Sequence, residues 1–580
     1  MFLRKTLASC APLLRAVSLG VLLIATDAHG QTMGAGANIT ASDGVLEAGG
    51  IKTGTFAERC LALASDPQVS AVGVVTAQLV PAGPVSSSVR APLRNPTLQA
   101  SNLPEHCLIT GSFERRLGAG NKPYAIGFEL RIPSTWNERL LFQGGGAFKG
   151  IVESALGVPA IYGSSSSLGL TRGFAVVTSD SGHAGAPSDA SFTEDQLARV
   201  NYAYASIGKV IRIAKVLIVK FSGAPPERTY FSGCSNGGRE AMEAALRFPE
   251  EFDGVIAANP AHDFGKDALL TWHSASTLAK IAPKAADGAY QPWLALTQED
   301  WAILSKGIVE QCDAADGLKD GLIFNQKACH FSPHSLLCRP GKTGGCLSRT
   351  KVDAVDAAFR GPRSAAGSEL TPSWTYDAGI GSTDWLAGQL GYIDASGKLV
   401  GYGIYNQLPN AVLTKLFRYP AVAPTQVIVE PPEDTISAME VMQGLINTTQ
   451  TQFSTFGARG GKLLFIHGWS DPSLAPAGFV RWFDKLRDDT RLAGKSADEF
   501  ARLFLVPGMT HCGGGRSLDD FDALEALIEW VERSNSPESL VATGKAFPGV
   551  SRPICAYPRF ARYNGKGDPA LAGSFTCQPE

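Results

Sequence analysis

The sequence predicts an α/β protein in which a mainly parallel, doubly wound sheet is interrupted by one large insertion. Three observations carry that expectation. Short apolar runs rich in β-formers alternate with segments of helical periodicity. One such run passes through Gly233-Cys234-Ser235-Asn236-Gly237 straight into a helix-forming stretch. After a long segment in which the alternation is lost, two late runs lead to Asp471 and His511.

Length and composition bound the reading. At 580 residues the chain exceeds what one hydrophobic core supports, so two domains or one domain with a large insertion are expected. Hydrophobic residues make up 44% and charged residues 18%, and the formal net charge is -2 without a long basic run. That balance argues against nucleic acid or an anionic membrane as partner. Arg4 and Lys5, the apolar stretch from Ala16 to Ala25 and the small residues around Ala28-His29-Gly30 read as a signal peptide over residues 1–30. Arg15 keeps the apolar run short of the roughly 20 residues that span a bilayer. Leu7-Ala8-Ser9-Cys10 precedes the apolar region, so lipidation at Cys10 is rejected. The chain is therefore expected to be secreted or periplasmic. The eleven cysteines, less Cys10, leave an even set of ten, which suits disulfides in an oxidising compartment. None forms a Cys-x-x-Cys pair, so structural zinc is not expected.

In chain order, Phe56 to Ser65 reads as a short helix carrying Cys60, followed by strands at Cys107 to Gly111 and Tyr124 to Ile132. Arg139 to Phe142 is a strand that opens into Gln143-Gly144-Gly145-Gly146. Gly173 to Ser179 is a buried strand ending at Asp180-Ser181-Gly182-His183, and Asn201 to Lys220 is helical. The strand from Thr229 enters the Ser235 turn, Arg239 to Phe248 continues as helix, and Gly254 to Ala258 is a buried strand ending at Asn259-Pro260. Between His262 and Ser454 helical pieces such as Gln298 to Gln311 mix with Gly- and Pro-rich segments. This is read as an insertion covering the catalytic face. The core pattern resumes at Lys462 to Ile466 and Ala501 to Val506.

A serine on a strand-to-helix turn between small residues is the nucleophile elbow of an α/β-hydrolase. Serine needs an imidazole to take its proton, and the imidazole needs a carboxylate to fix its tautomer. Ser235, His511 and Asp471 are the candidates, in the chain order Ser, Asp, His of that fold. Asn236 N–H and Gly145 N–H are the expected oxyanion donors. His467 and His183 are weighed as alternative bases and Asp180 as the rival acid. Cys234 and Cys512 flank the candidate nucleophile and base; they are bridged, tying serine to histidine, or two separate buried thiols, while a third reading, Cys234 as nucleophile, would have it point away from the exposed elbow position. The run from Cys312 to Leu322 spaces Asp313, Asp316 and Asp320 with glycines between them. It is either a calcium loop of hard oxygen ligands or a solvated acidic turn, and its spacing is not that of an EF-hand.

Gly-Cys-Ser-Asn-Gly-Gly-Arg-Glu at 233–240, Ser470-Asp471, and Met509-Thr510-His511-Cys512-Gly513-Gly514 together resemble the tannase and feruloyl esterase family. The resemblance runs from about Cys60 to Cys577. It implies an α/β-hydrolase with a large lid inserted after the elbow unit, and a disulfide between Cys234 and Cys512. It also implies the pairs Cys60 with Cys107, Cys312 with Cys329, Cys338 with Cys346, and Cys555 with Cys577. By the same resemblance Asp313, Asp316 and Asp320, with the backbone carbonyls of Leu318 and Leu322, are ligands of a structural Ca2+.

The expected organisation is a signal peptide at 1–30, a catalytic domain at 31–262 and 455–580, and a lid at 263–454. The expected activity is hydrolysis of small aromatic esters through an acyl-enzyme, of feruloyl esterase or tannase type. By the same resemblance a monoester of terephthalate is the alternative substrate, and no lid arginine is matched here to the one with which that branch of the family holds the free carboxylate. The second class is a secreted binding protein whose chemistry has been lost. Trp385, in an aromatic lid segment, and Leu474, just after Asp471, are the candidates for lining the substrate pocket.

Overall fold

A computed structural model of the chain describes residues 54–579, apart from 87, 88, 90–97, 99, 100, 342, 343, 402–407 and 422–434. The expected signal peptide lies outside the described residues. No described helix is long and apolar enough to cross a membrane.

The main sheet has nine strands: β1 (Val74–Val80), β2 (His106–Leu117), β3 (Pro123–Pro133), β4 (Arg139–Gln143), β5 (Ala175–Ser179), β6 (Arg228–Cys234), β7 (Gly254–Ala258), β8 (Lys462–Gly468) and β9 (Ala501–Val506). Their spatial order is β1-β2-β3-β5-β4-β6-β7-β8-β9. The first three strands and the β3–β5 pairing are antiparallel, and every pairing from β5 to β9 is parallel. The sheet is thus mixed, with the parallel half expected from the sequence and an antiparallel edge. Burial follows this division. All of β7 and all of β6 beyond Arg228 are buried, as parallel strands covered on both faces must be, whereas β3 begins with strict alternation.

Strand β1 has no counterpart in the sequence reading, because two masking features sit beside it: a short helix ending at Val72 and the Pro81 that closes it. Strand β2 runs six residues past the predicted Gly111, across a register shift between Phe113 and Arg116 where Glu114 takes φ 50°. Residues beyond β9 add further short paired strands, Ser539–Ala542 with Arg552–Cys555 and Arg559–Tyr563 with Phe575–Pro579.

Helices cover both faces. On one side α1 (Phe56–Leu63), α2 (Ser206–Ser222) and α3 (Asn236–Arg247) pack on the sheet around Ile211, Leu217, Phe231 and Met242. Thr55 and Glu58 form a reciprocal capping box at the start of α1, and Cys60 within it is bridged to Cys107 of β2. The helix predicted over 201–220 begins earlier, at Gln196, and passes through a π turn at Asn201–Ala205 before α2. Two carbonyls of that turn accept from Arg239 of α3, whose Nη1 donates to Ala203 O at 2.6 Å and whose Nη2 donates to Tyr202 O at 2.9 Å.

Residues between β7 and β8 build an apolar cluster of their own from Trp301, Leu304, Ile308, Phe359, Trp374 and Trp385. Cys312–Cys329 and Cys338–Cys346 fall in this stretch, Cys555–Cys577 joins the C-terminal ribbons, and Cys234–Cys512 completes the five bridges. Because β4, β6, β7, β8 and β9 are parallel neighbours, their carboxyl ends bring the glycine loop, Ser235, Asn259, Asp471 and His511 to one edge of the sheet. In open α/β sheets this is where ligands bind.

Candidate active site

The elbow is built by sterics. Ser235 sits between β6 and α3 at φ 64° and ψ -123°, a conformation that costs a non-glycine residue on the order of 1–3 kcal/mol. Its backbone is held from both sides: Ser235 N donates to Ala258 O, and Ser235 O accepts from Arg239 N and Ala261 N. A Cβ on Gly233 would lie 2.6 Å from Gly237 backbone, and one on Gly238 would lie 2.5 Å from Ala258 O. The glycines are what let strand, turn and helix close on each other, and α3 starts at Asn236, earlier than the sequence predicts.

His511 Nδ1–H donates to Asp471 Oδ2 at 2.9 Å. Asp471 is buried, and it also accepts from Asn259 Nδ2 at 2.7 Å, Ser473 N at 2.8 Å and Leu474 N at 3.1 Å. Burial alone raises its pKa, but the facing His511 and these donors outweigh that and leave it below the ordinary carboxylate range. The Cys234–Cys512 bridge, with Cα atoms 6.0 Å apart, ties the residue before Ser235 to the residue after His511. Replacing both cysteines by serine is expected to lower unfolding free energy by up to about 5 kcal/mol, since the bridge closes a loop with a sequence separation of 278. Chemical denaturation checks this, and an unchanged midpoint contradicts it.

Ser235, Asn236, His511 and Cys512 line one cavity of about 240 Å³, together with Ala147, Phe264, Leu408 and Leu474. No Asp, Glu, Lys or Arg is among its described lining residues. A larger groove, about 690 Å³, lies over β1–β3 and contains none of the candidate catalytic residues. The smaller cavity is the one that concerns the candidate site, because Ser235 and His511 both open onto it.

Two of the expected placements need correction. Gly145 N does not face the cavity; it donates to the buried Glu240 carboxylate at 3.3 Å. Gly146 and Ala147 line the cavity instead, and Ala147 takes a left-handed φ of 50°. Trp385 is not among the lining residues; it is buried against Trp301 and Phe359, with ring centroids at 5.1 and 6.0 Å. A large ring inside an aromatic segment is stabilised more by that packing than by exposure to a cavity. The rivals lie apart. His183 stacks on Phe192 at 3.8 Å, and burial lowers its pKa to about 4; Asp180 is buried, with its pKa raised to about 7, and accepts from Gly127 and Gly182 amides. His467 is buried beneath Asp471, its pKa lowered by desolvation, and does not line the cavity.

Several supporting residues escaped the sequence reading. Arg239, buried in α3, donates to Asn236 Oδ1 at 2.9 Å and so fixes the residue after the nucleophile. Asn259 shares Asp471 Oδ2 with His511; its place at the end of a buried strand was the available signal. From the insertion, Asp377 Oδ2 accepts from Ser470 Oγ at 2.6 Å and Gly508 N at 2.7 Å, bolting together the turns that carry Asp471 and His511.

The acidic loop places Asp313 against Gly321 N, and Asp316 against Leu318 N and Phe324 N. Burial raises both pKa values, that of Asp316 to about 7, and neighbouring carboxylates including Asp320 raise them further. This oxygen-only, mutually repelling set has the chemistry a hard cation neutralises. Asp320 instead contacts Arg552, and among the described residues no three acidic, His or Cys side chains converge closely enough to hold an ion. The fit is that of two carboxylates with the third engaged elsewhere.

The profile of the family described as "Tannase and feruloyl esterase" matches residues 107–578. The mono(2-hydroxyethyl) terephthalate hydrolase of Piscinibacter sakaiensis is 33% identical over 531 residues, covering 83% of this chain and 86% of that protein. A probable feruloyl esterase B-2 of Neosartorya fischeri is 28% identical, covering 79% of this chain and 84% of its own. Among solved structures, feruloyl esterase B from Aspergillus oryzae matches with TM-score 0.69 at 24% identity, covering 90% of this chain and 100% of that one. Tannin acyl hydrolase from Aspergillus niger matches with TM-score 0.65 at 20% identity, covering 87% and 90%. These two structures establish the fold as that of an α/β-hydrolase.

Proposed function

This chain belongs to the tannase and feruloyl esterase family of carboxylic ester hydrolases, and on that premise we propose that it is an exported serine esterase acting on esters of aromatic acids. Ser235 Oγ attacks the ester carbonyl as His511 takes its proton. Asp471 holds the imidazole in the tautomer that leaves its other nitrogen free to accept, and stabilises the imidazolium. The alcohol leaves with that proton, an acyl-enzyme remains on Ser235, and water activated by His511 releases the acid. Asn236 N–H and an amide of the Gly146–Ala147 turn face the developing oxyanion; each such donor contributes about 3–4 kcal/mol to the transition state.

The observation that carries this reading is the 2.9 Å His511–Asp471 hydrogen bond, with His511 opening onto the same cavity as Ser235. The largely apolar lining favours a neutral aromatic acyl group over one with a free carboxylate. Methyl ferulate or methyl gallate is accordingly expected to be cleaved with a kcat/KM about tenfold or more above that for mono(2-hydroxyethyl) terephthalate, a margin of about 1.4 kcal/mol. The reverse order replaces the acyl class and leaves the triad reading intact.

We further propose a structural Ca2+ in the acidic loop, held by Asp313 and Asp316 with the carbonyls of Leu318 and Leu322, and by Asp320 only if it exchanges its Arg552 contact for the ion. Its support is the burial of the Asp313 and Asp316 carboxyl groups side by side in one glycine-containing turn. Metal analysis is expected to find about one calcium per chain, and chelation to lower the thermal midpoint. A calcium-free protein indifferent to chelator contradicts the proposal.

A further inference from the structure

Behind the glycine loop lies a buried ion pair that the reaction above does not use. Glu240, in the second turn of α3, is 2% exposed, and Lys149, in the loop after β4, is equally buried. Lys149 Nζ lies 3.4 Å from Glu240 Oε2, the same oxygen that accepts Gly145 N–H at 3.3 Å. The other oxygen accepts Ser181 Oγ–H at 2.8 Å. One carboxylate therefore fastens the elbow helix, the glycine loop and the turn after β5 to each other. Lys149 runs under the loop so closely that a Cβ on Gly145 would meet its Cε at 2.7 Å.

Two consequences follow. With the Gly145 amide turned inward to Glu240, the next residues, Gly146 and Ala147, are the ones presented to the Ser235 cavity. Second, a bare carboxylate directly behind amides that must stabilise an oxyanion opposes the charge forming there, and in a dry interior that opposition is strong. Lys149 is the ammonium that cancels it. Its charge also acts on the partly buried Glu153 and the buried Asp180, in each case opposing the effect of desolvation.

We infer that Glu240 and Lys149 are positioning residues for the oxyanion loop: Glu240 sets which amides face the cavity, and Lys149 neutralises the charge that this requires. The inference rests on the proposed reading of the Gly146–Ala147 amides as oxyanion donors. It separates a catalytic effect from mere packing because the two residues act with opposite charge. Removing the lysine alone strands a buried anion, whereas removing both charges restores neutrality.

The test compares Lys149→Met, Glu240→Gln, Glu240→Ala and the Lys149→Met/Glu240→Gln double variant of the mature protein on methyl ferulate, with thermal midpoints recorded for each. Lys149→Met is expected to lower kcat by about 10- to 100-fold with KM within about twofold, the signature of an interaction made in the transition state. The double variant is expected to recover at least about tenfold of that loss. Glu240→Gln, which keeps an oxygen for the Gly145 amide, is expected to retain more kcat than Glu240→Ala. If Lys149→Met fails to fold, the Gln-against-Ala comparison carries the test. Wild-type kcat in Lys149→Met, a double variant as slow as the single, or equal loss in Glu240→Gln and Glu240→Ala overturns the inference. Full activity in Ser235→Ala would instead overturn the reading beneath it.

Discussion

Ser235→Ala is expected to lower kcat on an aromatic ester by about 10⁶-fold while leaving the thermal midpoint near that of the parent protein. The size follows from what the residue does in the proposed mechanism. Without Oγ there is no acyl-enzyme, and His511 and Asp471 have no proton to move. What remains is the contribution of the oxyanion amides and of binding, about 10³–10⁴ over water. Stability is expected to be spared or slightly raised. The φ of 64° is imposed by backbone bonds from Ala258, Arg239 and Ala261, and alanine tolerates it no worse than serine. Steady-state hydrolysis and a thermal melt on the same preparation check both halves. Loss of fold together with activity leaves the nucleophile to be settled by covalent labelling.

Asp471→Asn is the second large effect, about 10⁴-fold in kcat with little change in KM. The buried carboxylate accepts from four donors: His511 Nδ1, Asn259 Nδ2 and the amides of Ser473 and Leu474. An asparagine keeps the shape but offers one oxygen in place of two. Its NH2 then faces donors, and the imidazolium loses the charge that stabilises it. The loss is expected at every pH at which the parent is active, because the missing interaction is with the charged imidazole and asparagine does not titrate. A fall of less than about tenfold would assign Asp471 a structural role and reopen the choice of acid.

What the sequence revealed of this site is what local sterics and chain order encode. A serine between Gly233 and Gly237 on a strand-to-helix turn announces the elbow, since a Cβ at position 233 would lie 2.6 Å from Gly237 backbone. The parallel order of β4, β6, β7, β8 and β9 was readable as buried apolar runs, and it places Asp471 and His511 at neighbouring strand ends. What stayed hidden depends on partners far away in the chain. A glycine-rich loop directly after a strand and upstream of the elbow points to Gly145 as an oxyanion donor, but its amide is turned to Glu240, 95 residues later. Trp385 looked like a pocket residue because aromatic lid segments are common in pockets; its packing against Trp301 and Phe359 is a tertiary fact. The π turn before α2 has no sequence signature, and the Arg239 guanidinium that sits on its carbonyls comes from another helix. Asp377 is equally silent: a lone acid in the insertion that bridges Ser470 and Gly508 across the fold.

The central claim is that Ser235 is the nucleophile, and covalent labelling tests it most directly. The folded protein is treated with a small fluorophosphonate, digested, and the modified residue located by mass spectrometry. Modification of Ser235, abolished by prior saturation with an aromatic ester product and absent from Asp471→Asn on the same timescale, is the predicted result. Modification of any other serine, or none in a protein that still hydrolyses methyl ferulate, would contradict the account.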